Sequence, residues 1–375
     1  MKVLLIIDHF GSGGAQRQMV ELACGLKRRG HTVEMFVYFP QYNFFRARID
    51  EQRIPVHEQP GGRAAAFEVI RRLASVMRSG VFDVAASYLS SANIYAELAR
   101  VAARDTRLVV SERTSHYDDR SAIGALARRI LYLLSDRVVA NSESQAAWLK
   151  TKPWLRDRVT CIYNGVDLSA FQTNESIPNS GPSLRLLGIG RIGPEKNLLN
   201  LITALARFED QFGYVPEIGW AGQQDSSRAG QRYCARVDAL LASLPKVRQR
   251  WRWLGLQSDV HRLLHEYHAL IHPSLYEGLP NAVCEALAAG MPVLASNVCD
   301  HPLLVADGVR GFLFEPQDPS SIAAAIEKLA ALDSDAWRNF GRSARAYATA
   351  NLGVEKMVET YEALFRSLLA GGSRR

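Results

Sequence analysis

The feature that most constrains this chain is an alternation that runs, breaks and starts again. Lys2–Ile7, Thr32–Phe39, Ile54–His57, Phe82–Ser87, Leu108–Glu112, Val138–Asn141 and Val159–Tyr163 are short apolar runs that read as strands. Helical spacing fills most of the gaps, over Ala15–Arg29, Ala64–Arg78, Ile94–Arg104, Ile123–Ser135 and Glu143–Lys150. Short apolar strands alternating with helices predict a parallel sheet covered on both faces. The stretch QTNESIPNSGPS (172–183) is polar and rich in Pro, Asn and Ser, which marks a linker. The alternation then resumes with strands at Leu184–Ile189, Glu217–Trp220, Trp251–Leu254, Ala269–His272 and Pro292–Ser296. Helices at Leu198–Glu209, Ala229–Leu244 and Val260–Glu266 separate them. Three helices close the chain, over Ser320–Leu332, Ala336–Ala350 and Val354–Leu368.

The expected fold class is therefore α/β, with two doubly wound Rossmann-like domains facing each other across a cleft. An N-terminal domain covers 1–175 and a C-terminal domain 176–350. The helix over about 351–370 carries one apolar stripe, Met357, Tyr361, Leu364, Phe365 and Leu368, which suits packing back on the first domain. A length of 375 residues agrees, being too long for a single compact core. In such sheets ligands bind outside the carboxyl ends of the strands.

Charge and cysteine narrow the setting. Of the net +7, the first 175 residues hold +6, from 24 cationic and 18 anionic side chains. Such a half suits an acidic partner, either phosphates or an anionic membrane, or is simply a solvated basic surface. The cysteines at 24, 161, 234, 284 and 299 are scattered, without CxxC or zinc spacing, and read as reduced thiols. MKVLLIIDHF is too short in its apolar run for a signal peptide. No apolar run approaches the roughly 20 residues that span a bilayer. A cytoplasmic protein is expected, free or at the inner face of the cell membrane.

Three loops at strand ends carry the chemistry. GSGGAQR (11–17) joins the first strand to the first helix, and its backbone N–H groups suit an anion. Its glycines do not match G-x-G-x-x-G, and Glu34 falls mid-strand, which disfavours a dinucleotide and leaves a phosphate loop or a plain turn. GRIGPEKN (190–197) sets Arg191 and Lys196 around a Gly-Pro turn that opens a helix, a pairing that suits a diphosphate or an ordinary exposed loop. HPSLYEGLPNAVCEALAAG (272–290) places Glu277 before, and Glu285 within, an apolar helix. Pro280 suits that helix's first turn, and the N–H groups of 278–282 are free to bind oxygens. A buried carboxylate needs a partner. That partner could be a sugar hydroxyl, or His272 or an arginine in a structural ion pair.

Taken together, GGAQR, ANS (140–142), IYNGVDLSAF (162–171), GIGRIGPEKN (188–197), WLGLQSDV (253–260) and HPSLYEGLPNAVCEALAAGMPV (272–293) resemble glycosyltransferase family 4. These are retaining, GT-B-fold, nucleotide-sugar-dependent enzymes, and Glu277 and Glu285 stand at the family's Glu-x7-Glu spacing. The resemblance implies that Arg191 and Lys196 hold the donor diphosphate. It places Glu277 on the transferred sugar and Glu285 on the ribose. Gly278, Leu279, Pro280 and Asn281 would touch sugar and phosphate. Gly13 and Gly14, with Gly190, would lie near the diphosphate, and Gly255, Leu256 and Gln257 near the base.

Many members of the family carry a histidine after the strand equivalent to Leu108–Glu112; here the segment is SERTSHYDD (111–119). Both Arg113 and His116 are candidates for the acceptor side. No metal and no cofactor is expected, because Asp333-Ser334-Asp335, the one Asp-x-Asp, lies between helices and reads as a cap. Positive groups stabilise a leaving diphosphate without Mg²⁺. QYNFFRAR (41–48), Arg71–Arg72 and Arg128–Arg129 beside ILYLL suit contact with an anionic membrane, against the alternative that Phe44, Phe45 and Ile49 belong to an ordinary helix. No RNA-binding motif supports a nucleic-acid partner. The expected partners are a nucleotide-sugar donor, UDP-linked rather than GDP-linked, and a lipid-linked or growing glycan acceptor. The rival functions are a sugar-nucleotide epimerase of the same fold and a non-catalytic nucleotide-sugar-binding protein.

Overall fold

The computed structural model describes residues 1–59, 66–113, 126, 129–173, 177–178, 181–257 and 259–371. The chain divides into two compact units, Met1–Gly165 with Val354–Arg375, and Val166–Gly353.

The first unit holds β1 (Lys2–Ile7), α1 (Gly14–Arg28), β2 (Thr32–Val37), α2 (Arg46–Glu51), β3 (Val56–Glu58), α3 (Ala66–Gly80), β4 (Val84–Tyr88) and α4 (Ser90–Arg100). It continues with β5 (Arg107–Glu112), β6 (Arg137–Ala140), α5 (Glu143–Lys150) and β7 (Val159–Cys161). The strands form one parallel seven-stranded sheet in the order β3-β2-β1-β4-β5-β6-β7. Side chains alternate across β1 with period two. Val3, Leu5 and Ile7 enter one core and Leu4 and Ile6 the other, so both faces are dry. Each such side chain contributes about 2 kcal/mol of burial.

Of the helix expected over Ile123–Ser135, residues 123–125 and 127–128 lie outside those described; 129–131 are helical and Tyr132–Leu134 forms a short 3-10 turn. The short helix α2 buries Ile49 and leaves Phe44 exposed, so the aromatic pair Phe44–Phe45 splits between solvent and core.

The second unit holds β8 (Arg185–Ile189), α6 (Leu198–Phe212), β9 (Glu217–Ala221), α7 (Arg228–Ser243), α8 (Pro245–Arg250), β10 (Trp251–Gly255) and α9 (Val260–Glu266). Then come β11 (Ala269–His272), α10 (Asn281–Ala288), β12 (Val293–Ser296), α11 (His301–Val305), β13 (Gly311–Phe314), α12 (Pro319–Ala330) and α13 (Ser334–Asn351). Its six strands are again all parallel, in the order β10-β9-β8-β11-β12-β13. Strand β13 is not apparent from sequence, because four residues led by Gly311 carry little periodicity. Gly311 has φ +155°, and a Cβ there would fall 1.7 Å from the Val293 carbonyl oxygen.

The last helix, α14 (Val354–Ala370), belongs to the first unit. Its buried stripe of Met357, Val358, Tyr361 and Phe365 shares a core with Met19, Leu22 and Leu26 of α1. Gly25 permits this close approach, since a Cβ would meet Val358 Cγ2 at 2.4 Å. The crossing from first to second unit falls at Gly165–Val166, before the polar segment 172–183. The Arg345 guanidinium explains why residues 168–171 stay with the second unit: it donates to the carbonyls of Leu168, Phe171 and Ala288.

In both sheets the strand order reverses beside the first strand, between β1 and β4 and between β8 and β11. Such a reversal leaves an opening at the carboxyl edge where ligands bind.

Candidate functional site

In the second unit, β8 ends at Gly190, whose φ is +156° and whose carbonyl accepts from the buried Trp220 indole at 2.9 Å. The chain then makes a 3-10 turn at Pro194–Lys196. Asn197 closes it in the left-handed region at φ 58° and anchors itself by donating to the Pro316 carbonyl at 2.6 Å. Asparagine tolerates that conformation better than most residues. The turn brings Lys196 back against Gly190, where a Cβ would lie 2.9 Å from Lys196 Cε.

Beyond β11, the loop after His272 meets this turn through Leu275 N–H, which donates to the Glu195 carbonyl at 2.8 Å. The two segments therefore place Lys196 and Glu277 side by side. Oε1 of Glu277 accepts from Lys196 Nζ, from His272 Nε2 at 2.9 Å and from Ser274 Oγ at 2.7 Å. All three donors converge on the one oxygen. The Glu277 backbone N–H also reaches Cys299 Sγ at 3.4 Å.

Burial opposes the charge on Glu277, but the His272 hydrogen bond and the Lys196 ammonium outweigh it and hold the carboxyl well below the usual range. His272 is wholly buried, and burial lowers its pKa despite the bond to Glu277. A neutral ring donating from Nε2 fits both facts. His301 packs edge-on against it, with ring centroids 5.3 Å apart, and burial pushes its pKa down to about 3. The pair forms an uncharged wall behind the carboxylate.

Arg191 is more than half exposed and pairs with Glu195 at 2.8 Å, with Asp225 at 3.8 Å. Helix α10 begins at Asn281, with Pro280 as the residue before it. The expectation of Pro280 inside the first turn is corrected by one position: with no hydroxyl or carboxylate to offer, it caps nothing. The first bonded amide of the helix is Cys284, which donates to the Pro280 carbonyl, so the amides before it have no partner within the helix. Gly278 and Leu279 lead into this turn, and Leu279 is buried. Glu285 is buried on α10. The expected contact with His272 belongs to Glu277 instead, as a hydrogen bond from the neutral ring. Gly255 ends β10 with φ +67°, Leu256 is exposed, and Gln257 folds back to donate to the Leu254 carbonyl.

In the first unit, Gly13 stands before α1 and Gly14 begins it. The loop is braced from within. Gln16 donates to Asp8 at 2.8 Å, and Gly11 N–H donates to His9 Nδ1 at 2.9 Å. A Cβ on Gly13 would lie 2.1 Å from Gln16 Oε1, so glycine there lets Gln16 reach Asp8. Arg113 follows β5 at the same carboxyl edge, stacked 3.6 Å over the Tyr88 ring and donating to Asn164 Oδ1 at 2.5 Å. His116 lies outside the described residues. Ser274, Cys299, Tyr88 and Asn164 escaped sequence reasoning as site residues. Ser274 and Asn164 lie within the quoted motifs, whereas Tyr88 and Cys299 offer no local signal.

Among the described residues no group of three His, Cys, Asp or Glu side chains is arranged to hold a metal ion. Asp333 caps α13 by accepting from Ala336 N–H at 2.8 Å.

Two units, each built on one parallel sheet, make an architecture that comparison with known proteins identifies. Residues 12–170 match the sequence model of Glycosyltransferase Family 4, and residues 183–331 match that of Glycosyl transferases group 1. The fold is similar to that of HepE from Anabaena in complex with UDP, with a TM-score of 0.81 and 19% identity over 98% of this chain and 100% of that one. It is likewise similar to a glycosyltransferase from Rickettsia africae, with a TM-score of 0.83 and 18% identity over 99% of each chain. Among curated relatives, an Escherichia coli UDP-Gal:alpha-D-GlcNAc-diphosphoundecaprenol alpha-1,3-galactosyltransferase is 27% identical over 46% of this chain and 45% of its own length. A D-inositol 3-phosphate glycosyltransferase of Thermobifida fusca is 28% identical over 64% of this chain and 57% of its own. The matched stretches span about half the length of these relatives. The chain belongs to glycosyltransferase family 4 and has the GT-B fold.

Proposed function

We propose that this protein transfers a sugar from a nucleoside diphosphate sugar to an acceptor hydroxyl, with retention of anomeric configuration. The observation that carries the reading is the convergence of Lys196 and Glu277 at the strand-order reversal of the second sheet. Glu277 spends one carboxylate oxygen on three protein donors, which fixes the group and leaves Oε2 to accept from sugar hydroxyls. Its role is positioning, not covalent attack. Lys196 keeps further N–H bonds for the leaving diphosphate, whose charge grows in the transition state. Arg191, held by Glu195, and the N–H groups of Gly278, Leu279 and Asn281 join Lys196 there, in place of a metal. Gly190, Gly13 and Gly14 allow close approach of backbone to phosphate. Glu285 takes the ribose and Gly255–Gln257 the base. Arg113 is read as the acceptor-side residue, with His116 the alternative.

The donor is read as UDP-linked, which the UDP named with the Anabaena structure and the UDP-Gal named with the Escherichia coli relative support. The acceptor is read as a lipid-linked or growing glycan, in line with the diphosphoundecaprenol of that relative's name. No described helix is long and apolar enough to cross a membrane. Surface contact with an anionic bilayer at the inner face of the cell membrane is part of the proposal. Arg46, Arg48 and Arg71 serve it poorly, because each is paired with a carboxylate, and Arg128 lies outside the described residues. The open groove lined by Val101, Leu133, Leu134 and Arg104 serves it better.

The test is a thermal-shift panel of UDP, GDP and their sugars on the full chain. A ligand bound only by the folded state raises the melting temperature. Saturable stabilisation by UDP and UDP-sugars is expected, and no shift with any of them would overturn the reading.

A further inference from the structure

Several arginines of the first unit spend their charge on carboxylates. Arg48 meets both oxygens of Glu21, at 2.6 and 3.0 Å, and Arg100 reaches Asp136 at 2.8 Å. Arg113 does not. Among the described residues it forms no ion pair, and it donates from Nη1 to the neutral Asn164 amide. Its Nε and Nη2 are enclosed and have no partner. The Tyr88 ring lies directly beneath the guanidinium, and its hydroxyl is buried. Leaving a charged donor unmatched in the interior costs on the order of 1–3 kcal/mol or more.

The surroundings hold this unspent group in one orientation. Tyr88 stacks under its plane. Asn164 takes Nη1, and the next residue is clamped to α1 twice over: Gln18 Nε2 donates to the Gly165 carbonyl at 2.8 Å, and Gly165 N–H donates to Gln18 Oε1 at 2.7 Å. What remains without a protein partner is the Nε–Nη2 edge, the side of a guanidinium that binds two oxygens of one anion through parallel N–H bonds. A cation fixed in place, with its fork unspent at the carboxyl edge of a parallel sheet, is built for an anionic ligand.

We infer that Arg113 binds an anionic group of the acceptor, a phosphate or a carboxylate carried close to the hydroxyl that receives the sugar. The inference rests on the first unit being the acceptor side, and it narrows the acceptor to a phosphorylated or acidic glycan. Tyr88 and Asn164 are positioning residues for that guanidinium.

The test uses the full chain carrying Arg191→Ala and Lys196→Ala, so that donor-side cations do not compete. NMR titrations with inorganic pyrophosphate and with methyl glucuronide separate the phosphate and carboxylate sources. At least one of them should bind saturably, and Arg113→Gln should weaken it about tenfold or more. Arg113→Lys keeps the charge without the fork and should weaken it by a smaller factor; it also carries the test if the Gln variant does not fold. UDP binding by Arg113→Gln in the otherwise unmodified chain should be unchanged. If neither anion binds with Arg113 present, or if the Gln and Lys variants both bind as the parent does, the inference is overturned. Failure of the unmodified chain to bind UDP would instead sink the donor reading and leave the Arg113 result standing.

Discussion

The carboxyl edges of the two sheets balance their charges in opposite ways. In the second unit the central carboxylate is matched within the protein: Glu277 collects Lys196, His272 and Ser274 on one oxygen. In the first unit, Arg113 and Glu97 stand without a matching charge. Arg113 keeps two donors unspent, and Glu97 on α4 is fully buried with neither oxygen bonded. Burial, with a smaller push from Glu112, raises the Glu97 pKa to about 9. A matched charge is pre-organised and stabilises the fold on its own. An unmatched one weakens the fold until a ligand or a proton compensates it. The second edge is thus built to hold one fixed geometry, and the first to change state with what it binds.

The strongest way to break that contrast is Glu277→Ala. It strands three donors at once and should lower stability by about 3 kcal/mol, as read by urea denaturation, while abolishing transfer. The same carboxylate sets a pH dependence. Its folded pKa is depressed, so its stabilisation is present above the unfolded value near 4.5 and is lost as pH falls below it. Acid unfolding of the parent should be steeper than that of the Ala variant.

Next in size is Lys196→Ala, expected to cut transfer about 10²-fold or more by removing charge opposite the leaving diphosphate. A single-turnover rate equal to the parent's would refute the leaving-group role.

Glu97→Gln probes the other edge and has the opposite sign. The folded state holds an extra proton between about pH 4.5 and 9, so parent stability should fall as pH rises through that window. The Gln variant should lose the slope and gain about 2 kcal/mol at pH 8. Denaturation curves at pH 5 and pH 8 decide it: equal gains at both would mean Glu97 is not the titrating group.

The smallest effect is expected from Gly13→Ala, where the added Cβ displaces Gln16 from Asp8. A loss of about 1 kcal/mol, with weaker UDP binding, is the expected outcome. Unaltered UDP affinity would remove the glycine loop from the donor site.

Local pattern carried most of the fold. Strands β1, β2, β4, β5 and β8 through β12 show their apolar runs plainly, because strands of a parallel sheet are buried on both faces. Helix α14 shows its stripe of Met357, Tyr361 and Phe365 for the same reason. Short elements did not announce themselves. Helices α8 and α11 and strand β13 are four to six residues long, too short for a period to repeat. At the site, Lys196 and Glu277 were legible as members of two motifs that resemble one family.

The sequence by itself thus determined the two α/β repeats, the strand-end loops and the residue types each offers, because those depend on spacing within a dozen neighbours. Only the tertiary structure decided who meets whom. Lys196 and Glu277 are 81 positions apart and share a hydrogen bond because β8 and β11 are adjacent strands. Arg113 and Asn164 meet across 51 positions because they follow β5 and β7, the two strands that flank β6. Whether a charge is paired or unspent is a property of such long-range contacts, and no local window of sequence contains it.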